Sequence, residues 1–161
     1  MRGVVVDALR QLQARFGICL IAYVIMPEHV HVVLYPHTRG DDRPVLVSRL
    51  WHAFKQHIGF HGEECLRGFW RLHGRLWSEP LNKRAHGATG KQQIMETRGY
   101  DFNIDHQDTL LQKIDYCHKN QVTRGLVAGA EQWPWSSYRF YELNDCSVLP
   151  MDWNGRWPIV W

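Results

Sequence analysis

The sequence predicts a mixed α/β domain in which an antiparallel two-strand hairpin packs against helices. Three observations lead there. Apolar residues recur at helical spacing in three separate segments. Two β-rich runs, residues 18–25 and 29–35, are separated by only three residues. The chain has 161 residues, 45% hydrophobic and 22% charged, which suits one packed core and excludes a disordered polyampholyte.

The elements follow in order. Val5, Leu9, Leu12 and Phe16 form one face of a first helix, and Gly17 is its natural stop. Residues 18–25 are β-branched and apolar, as a buried strand should be. Met26-Pro27-Glu28 breaks the run, because proline cannot join a ladder. Residues 29–35 form the second strand, close enough to pair antiparallel with the first. A polar loop covers 36–44. Leu46, Leu50, Phe54 and Ile58 then sit four apart, predicting a second helix that Gly59 and Gly62 end. Residues 61–98, glycine-rich and carrying Lys83-Arg84, read as a long variable loop. A short strand is expected at 100–104 and a third helix at 108–122, with Gly125 beyond its end. Trp133-Pro134-Trp135-Ser136-Ser137-Tyr138 reads as a proline turn leading into a short helix. The domain is expected to span 1–143, and 144–161 to form an irregular tail with Trp153, Trp157 and Trp161.

Charge is less decisive. Nineteen Lys and Arg against 16 Asp and Glu give +3, with a pI near 8.8, which allows a nucleic-acid partner without demanding one. No apolar run reaches the ~18 residues of a membrane span, and the first residues lack the pattern of an export signal. A cytoplasmic location is therefore expected. Cys19, Cys65, Cys117 and Cys146 form no C-x-x-C pair and no zinc-ribbon spacing, so free buried thiols are expected.

Two groups of residues could carry chemistry. His29 and His31 flank Val30 on a strand, so both imidazoles point to one face and could share a metal ion. The plainer alternative is an exposed pair without metal. On the third helix, Leu110, Ile114, Cys117 and Gln121 fall on one side. Tyr116 and Asn120 lie about 40° apart and roughly 160° and 120° from Ile114, off that stripe. A helical tyrosine is usually a core residue; this one is not placed as such, and a solvent-facing role stays open. Lys113 is near Asn120 on the same wheel and could meet a phosphate.

These residues carry a resemblance. AYVIMPEHVHVVLYP is similar to the HUH signature strand of the single-tyrosine transposases. DYCHKNQVTRGLV, followed by EQWPWSSYRFY, resembles the segment bearing their nucleophilic tyrosine. Within that superfamily the chain most resembles the REP-associated tyrosine transposases. The two blocks cover roughly a third of the chain.

The resemblance implies a ferredoxin-like antiparallel sheet with helices on one face, and a metal-dependent single-strand DNA endonuclease and transesterase that cleaves and rejoins hairpin-containing DNA. It implies His29 and His31 as ligands of a divalent metal, Mg²⁺ or Mn²⁺, with Asn120 as third ligand and Tyr116 as nucleophile. A phenol titrates near 10, so a tyrosine attacks phosphate poorly without a metal. Attack would give a 5′-phosphotyrosine link, later resealed without ATP. Candidate DNA contacts are Lys113, Lys119, Arg124 and Arg139, with Trp133, Trp135 and Tyr138 as stacking groups. The aromatics have core packing as their alternative, and each basic residue a solvated surface position. The expected partner is single-stranded DNA with a hairpin, bound by a monomer or a homodimer, with no membrane involved.

The chain departs from the family in three ways. The family has a strand before its first helix, whereas this sequence starts almost at that helix. A sheet lacking its first strand, with an unpaired edge beside the metal strand, is therefore expected. Cys117 and Gln121 stand where the family has Ile and Pro. Residues 61–98 match poorly. These departures keep a second function open: a catalytically decayed, non-enzymatic domain that binds DNA hairpins. A third is an unrelated metal-dependent hydrolase using the His pair alone.

Overall fold

The computed structural model is described over residues 1–36, 45–73 and 99–156, with side chains in the second stretch described as far as Cys65. The elements run α1 (Arg2–Phe16), β1 (Cys19–Ile25), β2 (Val30–Tyr35), α2 (Val47–His73), α3 (Gln107–Thr123) and α4 (Tyr138–Leu143), with a 3₁₀ turn at Ala130–Gln132.

β1 and β2 form the expected antiparallel hairpin, closed by Pro27-Glu28 and the bond from the Met26 N–H to the His29 carbonyl (2.8 Å). The register shifts between Leu20 and Ala22. This bulge puts Ile21 and Ala22 in one core cluster while Leu20 and Tyr23 belong to the other. Elsewhere the alternation holds. Val30, Val32 and Leu34 pack toward the cluster built with α1 and α2, and Val33 belongs to the cluster built with α3.

The hairpin is thus sandwiched. On one face, Val6, Leu9 and Leu12 of α1 and Leu50, Phe54 and Ile58 of α2 meet Leu20, Tyr23 and Ile25. On the other, Leu110, Ile114 and Cys117 of α3 meet Cys19, Ile21, Ala22 and Val24. The mixed α/β class stands, but the helices divide between two faces instead of sharing one. The cause is β1, apolar at every position and buried throughout, so that both its faces need cover.

α1 ends where its sequence says, at Gly17 in the left-handed region (φ 63°), whose N–H bonds the Gln13 carbonyl. α2 does not stop at Gly59 and Gly62 but runs on to His73. A glycine inside a helix costs about 1 kcal/mol relative to alanine, which weakens a helix without ending it. Here α2 continues because it pairs antiparallel with α1. Arg15 and Phe16 share a groove with Ser48, Arg49 and His52. At the other end, Val4 and Asp7 share a larger groove with His57, His61 and Cys65. The loop expected from residue 61 is therefore helix as far as His73, and its remainder, 74–98, lies outside the described residues, as do 37–44 of the first loop.

The strand expected at 100–104 is irregular coil. It does not pair with β1, whose outer edge is taken by the C-terminal third of the chain. The Ile25 N–H donates to the Trp135 carbonyl (2.8 Å), and the Ser137 N–H to the Tyr23 carbonyl (3.0 Å). The Trp133 indole N–H donates to the Ile25 carbonyl (3.2 Å), and the Tyr141 hydroxyl to the Ile21 carbonyl (2.7 Å). Asp152 closes the far end: its carboxylate accepts the Leu20 N–H, and its own N–H returns a bond to the Leu20 carbonyl (both 2.9 Å). Residues 144–156 have no regular element, yet Leu149 and Met151 are buried in the first cluster. Trp157 and Trp161 lie outside the described residues.

All four cysteines are free. Cys19 and Cys117 are buried as expected, and burial pushes both thiols up to about 12. Cys65 and Cys146 are exposed instead, on α2 and in the irregular C-terminal stretch. Among the described residues no helix is long and apolar enough to cross a membrane.

Candidate active site

α3 builds one wall of the site. It starts from an extended His106 with Asp108 in its first turn, where a carboxylate suits the helix dipole. It ends in a Schellman motif: Gly125 (φ 68°) donates to Val122, and Leu126 to Gln121. Its apolar stripe faces β1, as the periodicity predicts, and Tyr116 stays off it, 50% exposed. Asn120, one turn on, is only 4% exposed.

β2 and its turn build the other wall. The His29 and His31 rings lie 4.7 Å apart, centroid to centroid, and the His31 ring lies 5.0 Å from that of Tyr116, nearly perpendicular to it. The structure therefore brings together three residues, from a turn, a strand and a helix, that are as much as 87 positions apart. Asn120 shares their side of α3 by helical geometry.

The electrostatics suit ligation. Partial burial, then the neighbouring His29, then Arg124 and Lys113, push the His31 imidazole below its ordinary value, which favours its neutral form. Glu28 Oε1 lies 3.2 Å from His29 Nδ1. A neutral His29 donating there would present its other nitrogen as an acceptor, the usual outer-shell arrangement of a metal-bound histidine. Sequence reasoning passed over Glu28, although its place beside His29 was the available signal.

Two buried polar atoms of the site have no hydrogen-bond partner: His31 Nε2 and Asn120 Oδ1. Unpaired buried polar atoms are costly, and a divalent cation is a partner that suits an imidazole nitrogen or an amide oxygen. No trio of His, Cys, Asp or Glu side chains among the described residues is placed to hold a metal. An ion here would rest on two imidazoles and an amide, with positions left for phosphate oxygens. The residues present fit the group.

The seven candidate DNA contacts separate. Lys113 and Arg124 both act electrostatically on His31; Lys113 lies about 60° from Tyr116 around α3, and Arg124 caps the helix C-terminus. Lys119 pairs with Asp115 (2.8 Å). Arg139 is held by Asp145 (2.8 Å) and the Glu131 carbonyl (2.8 Å). The three aromatics, candidates for stacking on bases with core packing as the alternative, are used in packing. Trp133 is anchored through its indole N–H with Arg2 over its ring, Trp135 packs on the first cluster, and Tyr138 sits edge-on to His118. The reason is the strap along β1, which needs their backbone and side chains.

One connection was not legible in the sequence. Ser137 Oγ gives its single proton to the Tyr23 carbonyl (3.2 Å) and accepts from the Tyr23 N–H (3.1 Å). Its remaining contact, with His118 Nε2 (3.1 Å), must then be accepted from the imidazole. α3 is thereby tied to β1, and through β1 to the strand bearing His31. No local pattern marks residues so far apart.

With fold and geometry established, a solved structure shows the fold. The structure of a REP-associated tyrosine transposase bound to a REP hairpin matches with a TM-score of 0.57, over 95% of this chain and 73% of that one, at 20% identity. The chain has the fold of a tyrosine transposase. A protein of Haemophilus influenzae bearing the REP-associated tyrosine transposase name is 24% identical over 150 residues, 93% of this chain and 74% of the relative. No family model matches the chain. The resemblance read from the two sequence blocks therefore holds, and it extends well beyond them.

Proposed function

We propose that this chain is a single-strand DNA transesterase of the tyrosine transposase type, acting on hairpin-containing DNA. The observation that carries the reading is the approach of the Tyr116 ring to the His29/His31 pair. His29, His31 and Asn120 would hold a divalent metal, Mg²⁺ or Mn²⁺. When bound, such an ion polarises the scissile phosphate and offsets charge on the leaving oxygen.

The remaining work belongs to the chain. Tyr116 Oη attacks phosphorus while the bond to the 3′ oxygen breaks. The phenol loses a proton, the departing oxygen gains one, and a 5′-phosphotyrosine remains. One ester replaces another, so the 3′-hydroxyl can reverse the step and reseal the strand without ATP. Glu28 orients His29, and the Ser137–His118 contact fixes α3 against β1 so that Tyr116 meets the His pair. Lys113 and Arg124 would take the flanking phosphates. Support for a hairpin substrate comes from the neighbour bound to a REP hairpin.

The test uses a labelled single-stranded hairpin and Mn²⁺, resolved on a denaturing gel. Wild type should form a covalent adduct that Tyr116→Phe loses entirely, while hairpin binding persists. Equal cleavage by both proteins would sink the reading. Hairpin binding by wild type with no adduct would make the chain a non-catalytic binding domain.

A further inference from the structure

The coil at residues 99–106, just before α3, offers a feature that neither fold nor proposed chemistry uses. It is pinned at both ends. Gly99 lies so close to Trp51 of α2 that a side chain there would overlap the indole ring. Ile104 packs on the cluster under α3. Between these anchors the chain exposes two large aromatics: Tyr100 is 90% exposed and Phe102 53%. A coil held this firmly could have carried polar residues at no structural loss.

Phe102 is not a bare ring. Lys113 Nζ lies 4.6 Å from its centroid. The same ammonium acts on His31, and Lys113 sits one turn before Tyr116 on α3. An exposed aromatic, a cation against it and a second cation, Arg124, in the field of the same histidine form an arrangement suited to a base and its phosphate. Charge decides between occupants. An apolar protein surface gains nothing from an ammonium beside the ring, whereas a nucleotide satisfies both groups.

The geometry points to Phe102, with Lys113, as a stacking subsite for one unpaired nucleobase of single-stranded DNA, next to the phosphate that Tyr116 would attack. Lys113 would hold that nucleotide's phosphate while the base lies on the ring face that the lysine leaves free. Tyr100 extends the platform for a following base. The inference rests on the proposed function for its substrate, but its test does not depend on cleavage.

The full-length chain is titrated into a short single-stranded oligonucleotide carrying 2-aminopurine, with a blunt duplex of the same sequence as control. Stacking on the ring should change the probe's fluorescence. Phe102→Ala should abolish that change and weaken single-strand affinity about tenfold, with duplex binding untouched. Phe102→Trp should retain both signals. Circular dichroism checks that each variant folds, which the exposure of Phe102 favours. Single-strand affinity and fluorescence unchanged in Phe102→Ala overturn the subsite, as does an equal loss of duplex binding. A Phe102-dependent signal from a wild-type chain that forms no adduct upholds the subsite while removing the catalytic reading. Adduct formation without any dependence on Phe102 does the reverse.

Discussion

At the scale of residues, the basic side chains show how position decides use. Lys113 on α3 and Arg124 at its C-cap act on His31, whereas Lys119 points to Asp115 and Arg139 to Asp145 and Glu131. Asp145 records that pairing: hydrogen bonds from Ser147 and Arg139 hold its carboxyl at about 2. Only the first two should meet phosphates. For single-stranded DNA each neutralised phosphate contributes roughly 0.7 to the slope of log affinity against log salt. Lys113→Gln and Arg124→Gln should each flatten that slope by about 0.7, and Lys119→Gln should leave it unchanged, in anisotropy titrations over a salt series. Identical slopes in all three variants would remove the assignment. Tyr116 was legible in the sequence because helical periodicity alone excludes it from the apolar stripe. The burial of Asn120 was not, because it arises from the packing of α3 on the hairpin, which no wheel contains.

At the scale of elements, α3 and the segment after it act as one unit. The clamp between His118 and Ser137 is buried, and burial pushes the His118 imidazole down to about 4 against an ordinary 6.5, with only Asp115 opposing. The sign follows from proton binding. Between pH 6.5 and about 4 the unfolded chain takes up a proton at this position that the folded chain refuses, so acid favours unfolding. Melting temperature should therefore fall steadily as pH drops through that window. His118→Gln should flatten the dependence while lowering the plateau at neutral pH, as thermal scans by circular dichroism would show. An unchanged slope in the variant would mean that another group carries the effect. α2 teaches a different lesson. Gly59 and Gly62 look like stops in sequence, but only a left-handed backbone stops a helix at glycine, as at Gly17 and Gly125. Pairing with α1 keeps the other two helical.

At the scale of the whole molecule, β1 is the structural centre. Both its faces are covered by helices, one edge by β2 and the other by residues 133–152. The Leu20, Tyr23 and Ile25 amides all donate to the C-terminal strap. They should therefore exchange with solvent only through global unfolding, and the amides of coil residues 100–103 far sooner. Hydrogen-exchange mass spectrometry or NMR measures this directly. Comparable rates for the two sets would show that the strap does not hold β1. Among the described residues the sheet has two strands, and β2, the strand carrying His31, has a strand partner on one side only.

The sequence by itself determined the hairpin, the first and third helices and the exclusion of Tyr116 from the core. These depend on periods of two and 3.6 residues and on a proline turn, all contained in a few consecutive positions. Tertiary structure alone decided the rest: helices on both faces, α2 running through its glycines, the WPWSSY segment serving as an edge strap, and the meeting of His31 with Tyr116. Each is a contact between segments far apart in the chain. Which surface meets which depends on the burial and hydrogen bonding of the assembled molecule, and no local pattern encodes it.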